Sequence, residues 1–119
     1  MEFERILEDN NEFRAIWKIY EEAFPADERR NLDNQIKVLR NENYNMYSIK
    51  DNRKIIGLFC VWNFKDFLFG EHFAIKKELR NRDLGKRALP EFLSKKSYKI
   101  FIGEVERPET DITKRRIKF

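Results

Sequence analysis

Residues 72–89, HFAIKKELRNRDLGKRAL, gather the basic side chains Lys76, Lys77, Arg80, Arg82, Lys86 and Arg87 around a single glycine, Gly85. The pattern reads as a strand that passes through a charged loop into the start of a helix. A helix start presents unpaired backbone N–H groups and the positive end of a dipole. Gly85 adds a place where the backbone can approach a ligand with no Cβ in the way, so the chemistry suggested is phosphate binding. The plainer alternative is a solvated, charged connection between two elements. Just upstream, Glu71 and His72 could move protons. A carboxylate among Phe67, Phe69 and Phe73 is expected to have its pKa raised by desolvation, and an unperturbed imidazole titrates near pH ~6.5. Strand alternation places Glu71 with Phe67, Phe69, Phe73 and Ile75 on one face, and His72 with Leu68, Gly70 and Ala74 on the other. Against these roles stand a hydrogen-bonded structural carboxylate for Glu71 and a satisfied core histidine for His72. Cys60, in IIGLFCVW, reads as a small buried hydrophobe, since one thiol and one histidine in the chain seldom form a nucleophilic pair.

These residues need elements to hold them. A short strand over about 2 to 7 precedes an Asn-rich turn suited to capping a helix, whose stripe is Phe13, Ile16, Trp17, Tyr20 and Phe24 and which Pro25 stops. A second helix carries Leu32, Ile36 and Leu39 on one side and charged or amide groups elsewhere, so it lies on the surface. The period then turns extended: MYSIK, KIIGLFCVWNF and FLFGEHFAI, separated by the polar breaks DN and KD, predict three strands in an antiparallel meander. Their nearly continuous apolar content predicts a sheet covered on both faces. After the basic loop comes a helix with Leu84, Ala88, Leu89, Phe92 and Leu93 inward. Pro90 should kink it, or else mark the start of its regular part. YKIFIGEVE then forms a buried strand parallel to the one before the helix, as a right-handed crossover requires. PETDITKRRIKF reads as the start of a further, unfinished helix. The fold class is α+β, a mixed sheet in one domain spanning 1–119.

Composition narrows the function. The chain has 119 residues, 41% of them apolar, and a net charge of +4 with both signs interspersed. That balance attracts anions mildly. No stretch interleaves aromatics with a basic stripe as a base-stacking platform would, so a nucleic-acid partner is not expected. No window reaches the apolar length of a membrane span, and MEFERILEDN lacks the features of a secretory signal, which makes a cytoplasmic protein with no membrane partner the expectation. No metal-ligand spacing is evident, and no metal is expected.

From HFAI through LRNRDLGKRALPEFL to IGEVERP and RRIKF, the sequence resembles the GNAT superfamily of acyl-CoA-dependent N-acetyltransferases. The family's loop pattern is Arg or Gln, any two, Gly, any, Gly or Ala. It falls here on Arg80, Asn81, Arg82, Asp83, Leu84 and Gly85, with Asp83 at the first glycine. The early IYEEAFPADERR is similar to a bacterial branch of the superfamily. The resemblance implies a GNAT-like acyl-CoA N-acyltransferase fold in the order strand, two helices, three strands, helix, strand and a partial helix. The last two strands of the family would be missing beyond Phe119. It implies acetyl-CoA as cosubstrate and a primary amine as acceptor, with direct transfer and no acyl-enzyme. The backbone of Phe73, Ala74 and Ile75 would pair with the pantetheine arm. Arg80 and the amides of Asn81, Arg82, Asp83, Leu84, Gly85 and Lys86 would hold the pyrophosphate. Glu71, His72, Glu104 and Glu106 lie on the two strands that flank the family's active centre, and Glu71, His72 and Glu104 are the acid–base candidates. The tyrosine that often protonates the thiolate has no match here, which predicts poor turnover. A non-catalytic binding module that keeps the fold is the alternative. An uncovered edge on the last strand, KIFIGEVE, predicts pairing with a second copy of the chain, a homodimer or a larger assembly.

Overall fold

The computed structural model describes residues 1–80, 82–95, 100–106 and 114–118, with 104–106 and 114–118 described by their backbone alone. The elements are β1 (Glu2–Ile6), α1 (Asn11–Ala23), α2 (Leu32–Val38), β2 (Tyr44–Asp51), β3 (Lys54–Asn63), β4 (Leu68–Ile75), α3 (Leu84–Ser94), β5 (Phe101–Glu106) and β6 (Lys114–Lys118), with 3-10 turns at Ala26–Glu28 and Lys77–Leu79. The described strands form one sheet in sequence order. β1 to β4 are antiparallel, β4 and β5 are parallel, and β5 and β6 are antiparallel.

Helix α1 starts where Asn10 Oδ1 accepts the backbone N–H of Phe13 at 2.8 Å, which satisfies one orphan donor of the first turn. It ends before Pro25, whose ring disfavours helical geometry at Phe24. Its stripe of Phe13, Ile16, Trp17 and Tyr20 packs on Leu58, Cys60 and Ala74 of the sheet. The opposite face buries Phe59, Val61, Leu68 and Ile75 under Ala88, Leu89 and Phe92 of α3. The sheet is therefore covered on both faces, as its apolar strands require. Residues Asn52 and Arg53 both have positive φ, 51° and 67°, which makes the β2–β3 connection a tight hairpin of the mirror-image kind.

Three expectations are corrected. The alternative in which the regular helix begins at Pro90 fails, since α3 begins six residues earlier at Leu84 and the proline lies inside it, as the other alternative had it. The proline therefore removes one backbone hydrogen bond within the helix. In the C-terminal segment, residues 114–118 of the expected unfinished helix form β6, paired antiparallel with β5 from Ile102↔Lys118 to Glu106↔Lys114. Sheet pairing satisfies every second backbone group of this stretch and outweighs its helix-start signal, Pro108, which lies outside the described residues. β6 also removes the reason for expecting a second copy of the chain on β5, because the edge is covered from within. The third correction concerns strand alternation in β4. The β3–β4 register passes from Cys60↔His72 directly to Val61↔Gly70, so Glu71 is the extra residue of a β-bulge.

Candidate active site

The bulge re-aims β4 at one point. Below it, Gly70 faces α3, where a methyl group in its place would lie 2.7 Å from Phe101 Cζ and 3.3 Å from Phe59 Cε1. Above it, His72 turns to the α1 side, edge-on to Tyr20 and Phe24 at 4.9 and 4.8 Å. Glu71 turns the same way: its carboxylate binds Arg30 through two hydrogen bonds, Nη1–Oε1 at 2.6 Å and Nη2–Oε2 at 2.8 Å. The expected placement of Glu71 and His72 on opposite faces therefore fails, and the inserted residue is the reason. Their side chains meet, with His72 Nδ1 at 3.4 Å from Glu71 Oε1. The two groups touch without a hydrogen bond, and Nδ1 is buried without one.

The α1–α2 loop closes over this face. Arg30 donates its backbone N–H to the Tyr20 hydroxyl at 2.9 Å, and its guanidinium lies 5.3 Å from the centre of the Tyr44 ring. His72 Nε2 lies 3.0 Å from the Glu28 carbonyl, and a carbonyl can only accept, so Nε2 is the donor. Arg29 ties the loop to α1 by donating to the Glu21 and Phe24 carbonyls at 2.9 and 3.0 Å. Burial alone would raise the pKa of Glu71. The close His72 ring and the two hydrogen bonds and charge of Arg30 outweigh it and hold the group at about 2. This corrects the expectation of a raised value, because the aromatic strand supplied the desolvation and a loop 41 residues away supplied the countercharge. Arg30 was not singled out in the sequence. Its signal was the pair of arginines in ADERR, which no local pattern connects to β4. Burial pushes the Cys60 thiol up to about 12, so the thiolate needed for a nucleophile is suppressed.

On the other side of the bulge, β4 and β5 separate. Their pairing runs from Leu68↔Phe101 to Gly70↔Gly103 and stops there, while β4 continues to Ile75 and β5 to Glu106. Phe73, Ala74 and Ile75 lie on the stretch of β4 beyond the last pair with β5. Glu104 lies on β5 one position past that pair, with its side chain outside the described residues. The two strands thus make a wedge that opens toward their C-terminal ends. Over the same ends stands the N-terminus of α3. Arg80 Nε donates to the Ile75 carbonyl at 3.1 Å, which fixes the start of the loop on the end of β4. Asp83 occupies the position before the helix in a left-handed conformation, φ 58° and ψ 12°, and its side chain caps nothing. It faces Lys86 Nζ at 3.7 Å, with both groups largely exposed. The left-handed backbone explains why a glycine suits this place. It also leaves the Asp83 carboxylate turned away from the N–H groups of the first turn, which it does not cap. A methyl group on Gly85 would meet Ile75 Cγ1 and Phe73 Cε1 at an ordinary contact distance of 3.7 Å. Asn81 lies outside the described residues; Arg82, Leu84 and Lys86 line the helix start. Among the described residues no group of side chains could hold a metal ion, and no helix is long and apolar enough to cross a membrane.

Neither a protein-family model nor a curated protein matches the chain. Solved structures do. A protein assigned to the GNAT acetyltransferase family from Bacteroides thetaiotaomicron superposes with a TM-score of 0.83 at 30% identity, over 94% of this chain. The chain spans 64% of that protein's length. The ribosomal-protein-S18-alanine N-acetyltransferase from Escherichia coli aligns with a TM-score of 0.65 at 15% identity, over 92% of this chain and 70% of its own. A GNAT family acetyltransferase from Elizabethkingia anophelis, solved with acetyl-CoA bound, aligns with a TM-score of 0.59 at 16% identity, over 87% and 64%. The last two likenesses are of fold. With its mixed sheet and its likeness to the Bacteroides protein over nearly its whole length, the chain has the GNAT acetyltransferase fold.

Proposed function

We propose that the chain binds acetyl-CoA and transfers its acetyl group to a primary amine. The observation that carries this reading is the wedge: β4 and β5 part after Gly70↔Gly103, directly below the start of α3. An extended amide chain such as pantetheine finds in Phe73, Ala74 and Ile75 a strand to pair with. The first amides of α3, together with Arg82, Lys86 and Arg87, suit the pyrophosphate through aligned N–H donors and mobile positive charge. Arg80 serves by holding the loop to Ile75. The thioester then lies beside the bulge, and rate comes chiefly from positioning it against the amine.

Glu71 and His72 act here as positioning residues. A carboxylate held near 2 is a weak base, and both side chains are engaged by Arg30 and the Glu28 carbonyl. Their joint effect is to fix the α1–α2 loop beside the bulge and to place negative potential there, which favours an ammonium acceptor. The incoming amine must still lose a proton, and Glu104 remains the carboxylate candidate for that task through water. A second reading, a CoA-binding module without turnover, is favoured by the engagement of Glu71 and His72.

Titration calorimetry with acetyl-CoA tests the binding, and a thiol-release assay over a panel of amines separates the two readings. Binding with release supports the transferase; binding with no release under any amine supports the module. No heat of binding at millimolar acetyl-CoA overturns both. Within this reading Asp83→Gly tightens acetyl-CoA binding severalfold at low salt and less at high salt, because it removes an exposed like charge and allows the left-handed backbone freely. Equal affinities at both salt concentrations would place the pyrophosphate elsewhere.

A further inference from the structure

The closed end of the wedge is filled by one ring. Phe101 on β5 is 2% exposed and lies across both glycines of the last β4–β5 pair. A methyl group at Gly70 would meet its Cζ at 2.7 Å, and one at Gly103 would meet its Cε1 at 2.9 Å. No side chain larger than hydrogen fits at either position while the ring stays where it is. Phe59 backs the ring at 6.0 Å between centroids, so it cannot retreat without displacing the core under α3. Between Phe59, His72, Phe73, Leu89 and Phe101, beside the two glycines, there remains free space of about 10 Å³. That is close to the room one water molecule takes, and almost all of the surface that faces it is apolar.

We propose that Phe101 sets the length of the acyl group the chain accepts, with Gly70 and Gly103 leaving the space its ring occupies. This rests on the proposed use of the wedge for acyl-CoA. An acyl group at the end of the paired region points its methyl at this residual space. A two-carbon acyl group fits against the ring; each further methylene must push an aromatic side chain into a packed core, which is costly. The selectivity is therefore a steric limit at the bottom of the wedge, supplied by β5, and is separate from the pyrophosphate contacts at the helix start. Replacing the ring with a shorter apolar side chain moves the limit outward and leaves the cofactor contacts as they are.

The test is a calorimetric series with CoA, acetyl-CoA, butyryl-CoA and hexanoyl-CoA on the wild-type chain, Phe101→Leu and Phe101→Val. The wild type is expected to prefer acetyl-CoA over hexanoyl-CoA by about tenfold or more, the discrimination an apolar pocket makes per methylene or two. Both variants are expected to lose that preference while binding CoA as the wild type does. Unchanged CoA affinity and an unchanged far-ultraviolet spectrum show that the variant has kept its fold. Two variants of different size guard against one that folds poorly. If the acetyl-to-hexanoyl ratio is the same in all three proteins while CoA still binds, Phe101 is not the limit and the proposal is overturned alone. If none of the four ligands binds the wild type, the reading of the wedge falls and takes this proposal with it.

Discussion

Glu71→Gln is expected to cost about 3 kcal/mol of folding stability at pH 7, and less than half of that at pH 3. The substitution leaves the Arg30 guanidinium half-buried against Tyr44 with no countercharge, and an ion pair broken on one side is worth more than the pair itself. Each partner's side chain is 24% exposed, so solvent screens part of the interaction without abolishing it. The pH dependence follows from the direction of the shift. Glu71 titrates near 2 in the folded chain, against 4.5 for an unperturbed glutamate. Its ionised form is therefore favoured by folding, and the gain is complete above the unfolded value. As pH falls from about 5 toward 2 the unfolded chain takes up the proton first, and the gain disappears. Urea unfolding of wild type and variant at pH 7, 5 and 3 measures this, and the gap between the two curves should close toward acid. A gap that stays constant with pH would mean that the carboxylate's charge contributes nothing and that only its shape matters.

Gly57→Ala should have an effect of similar size by a different route. A Cβ on Gly57 would sit 2.3 Å from the backbone carbonyl oxygen of Ala74 and 3.2 Å from Ile75 Cα. Neither neighbour is the tip of a flexible side chain, so β3 and β4 must move apart. Gly57 is in this position because β3 carries its own irregularity: the register with β2 steps from Ile49↔Gly57 to Lys50↔Ile55, which inserts Ile56. An overpacked core position costs about 1–3 kcal/mol, and the upper end applies where backbone must yield. The displaced residues are Ala74 and Ile75, two of the three that offer β4 to an extended ligand. The variant is therefore expected to melt several degrees lower and to bind acetyl-CoA at least tenfold more weakly, a loss that a substitution in α1 of equal destabilisation would not produce. Equal melting temperatures for variant and wild type would show that the two strands separate without cost.

Much of this was legible in the sequence. The 3.6-residue stripe of α1, the DN and KD breaks and the strand–basic loop–helix passage are local patterns, and local patterns are what periodicity reads. The site was less legible for a specific reason. Two strands each carry one extra residue, at Ile56 and Glu71, and a single insertion reverses which face every later side chain takes. Nothing in FLFGEHFAI marks Glu71 as that insertion. Arg30 was invisible as its partner because the contact joins a loop to a strand far along the chain. The C-terminal KRRIK, charged and downstream of a proline, reads as part of a helix when taken alone; pairing with the open side of β5 makes it a strand.

The strand order of the sheet, identical to the order in sequence, bears on how the chain folds and where it opens. β2, β3 and β4 are joined by short connections, so their pairing closes small loops and can form early. The β4–β5 pair must wait for α3 to dock between them in sequence, and it is held by only a short ladder, Leu68↔Phe101 to Gly70↔Gly103. A unit that assembles last with few bonds is the first to come apart in the folded state. Amides of β5 should exchange with solvent faster than those of β3, so that the wedge where acyl-CoA is proposed to enter is also the seam at which the sheet breathes, and a ligand spanning it would slow that exchange.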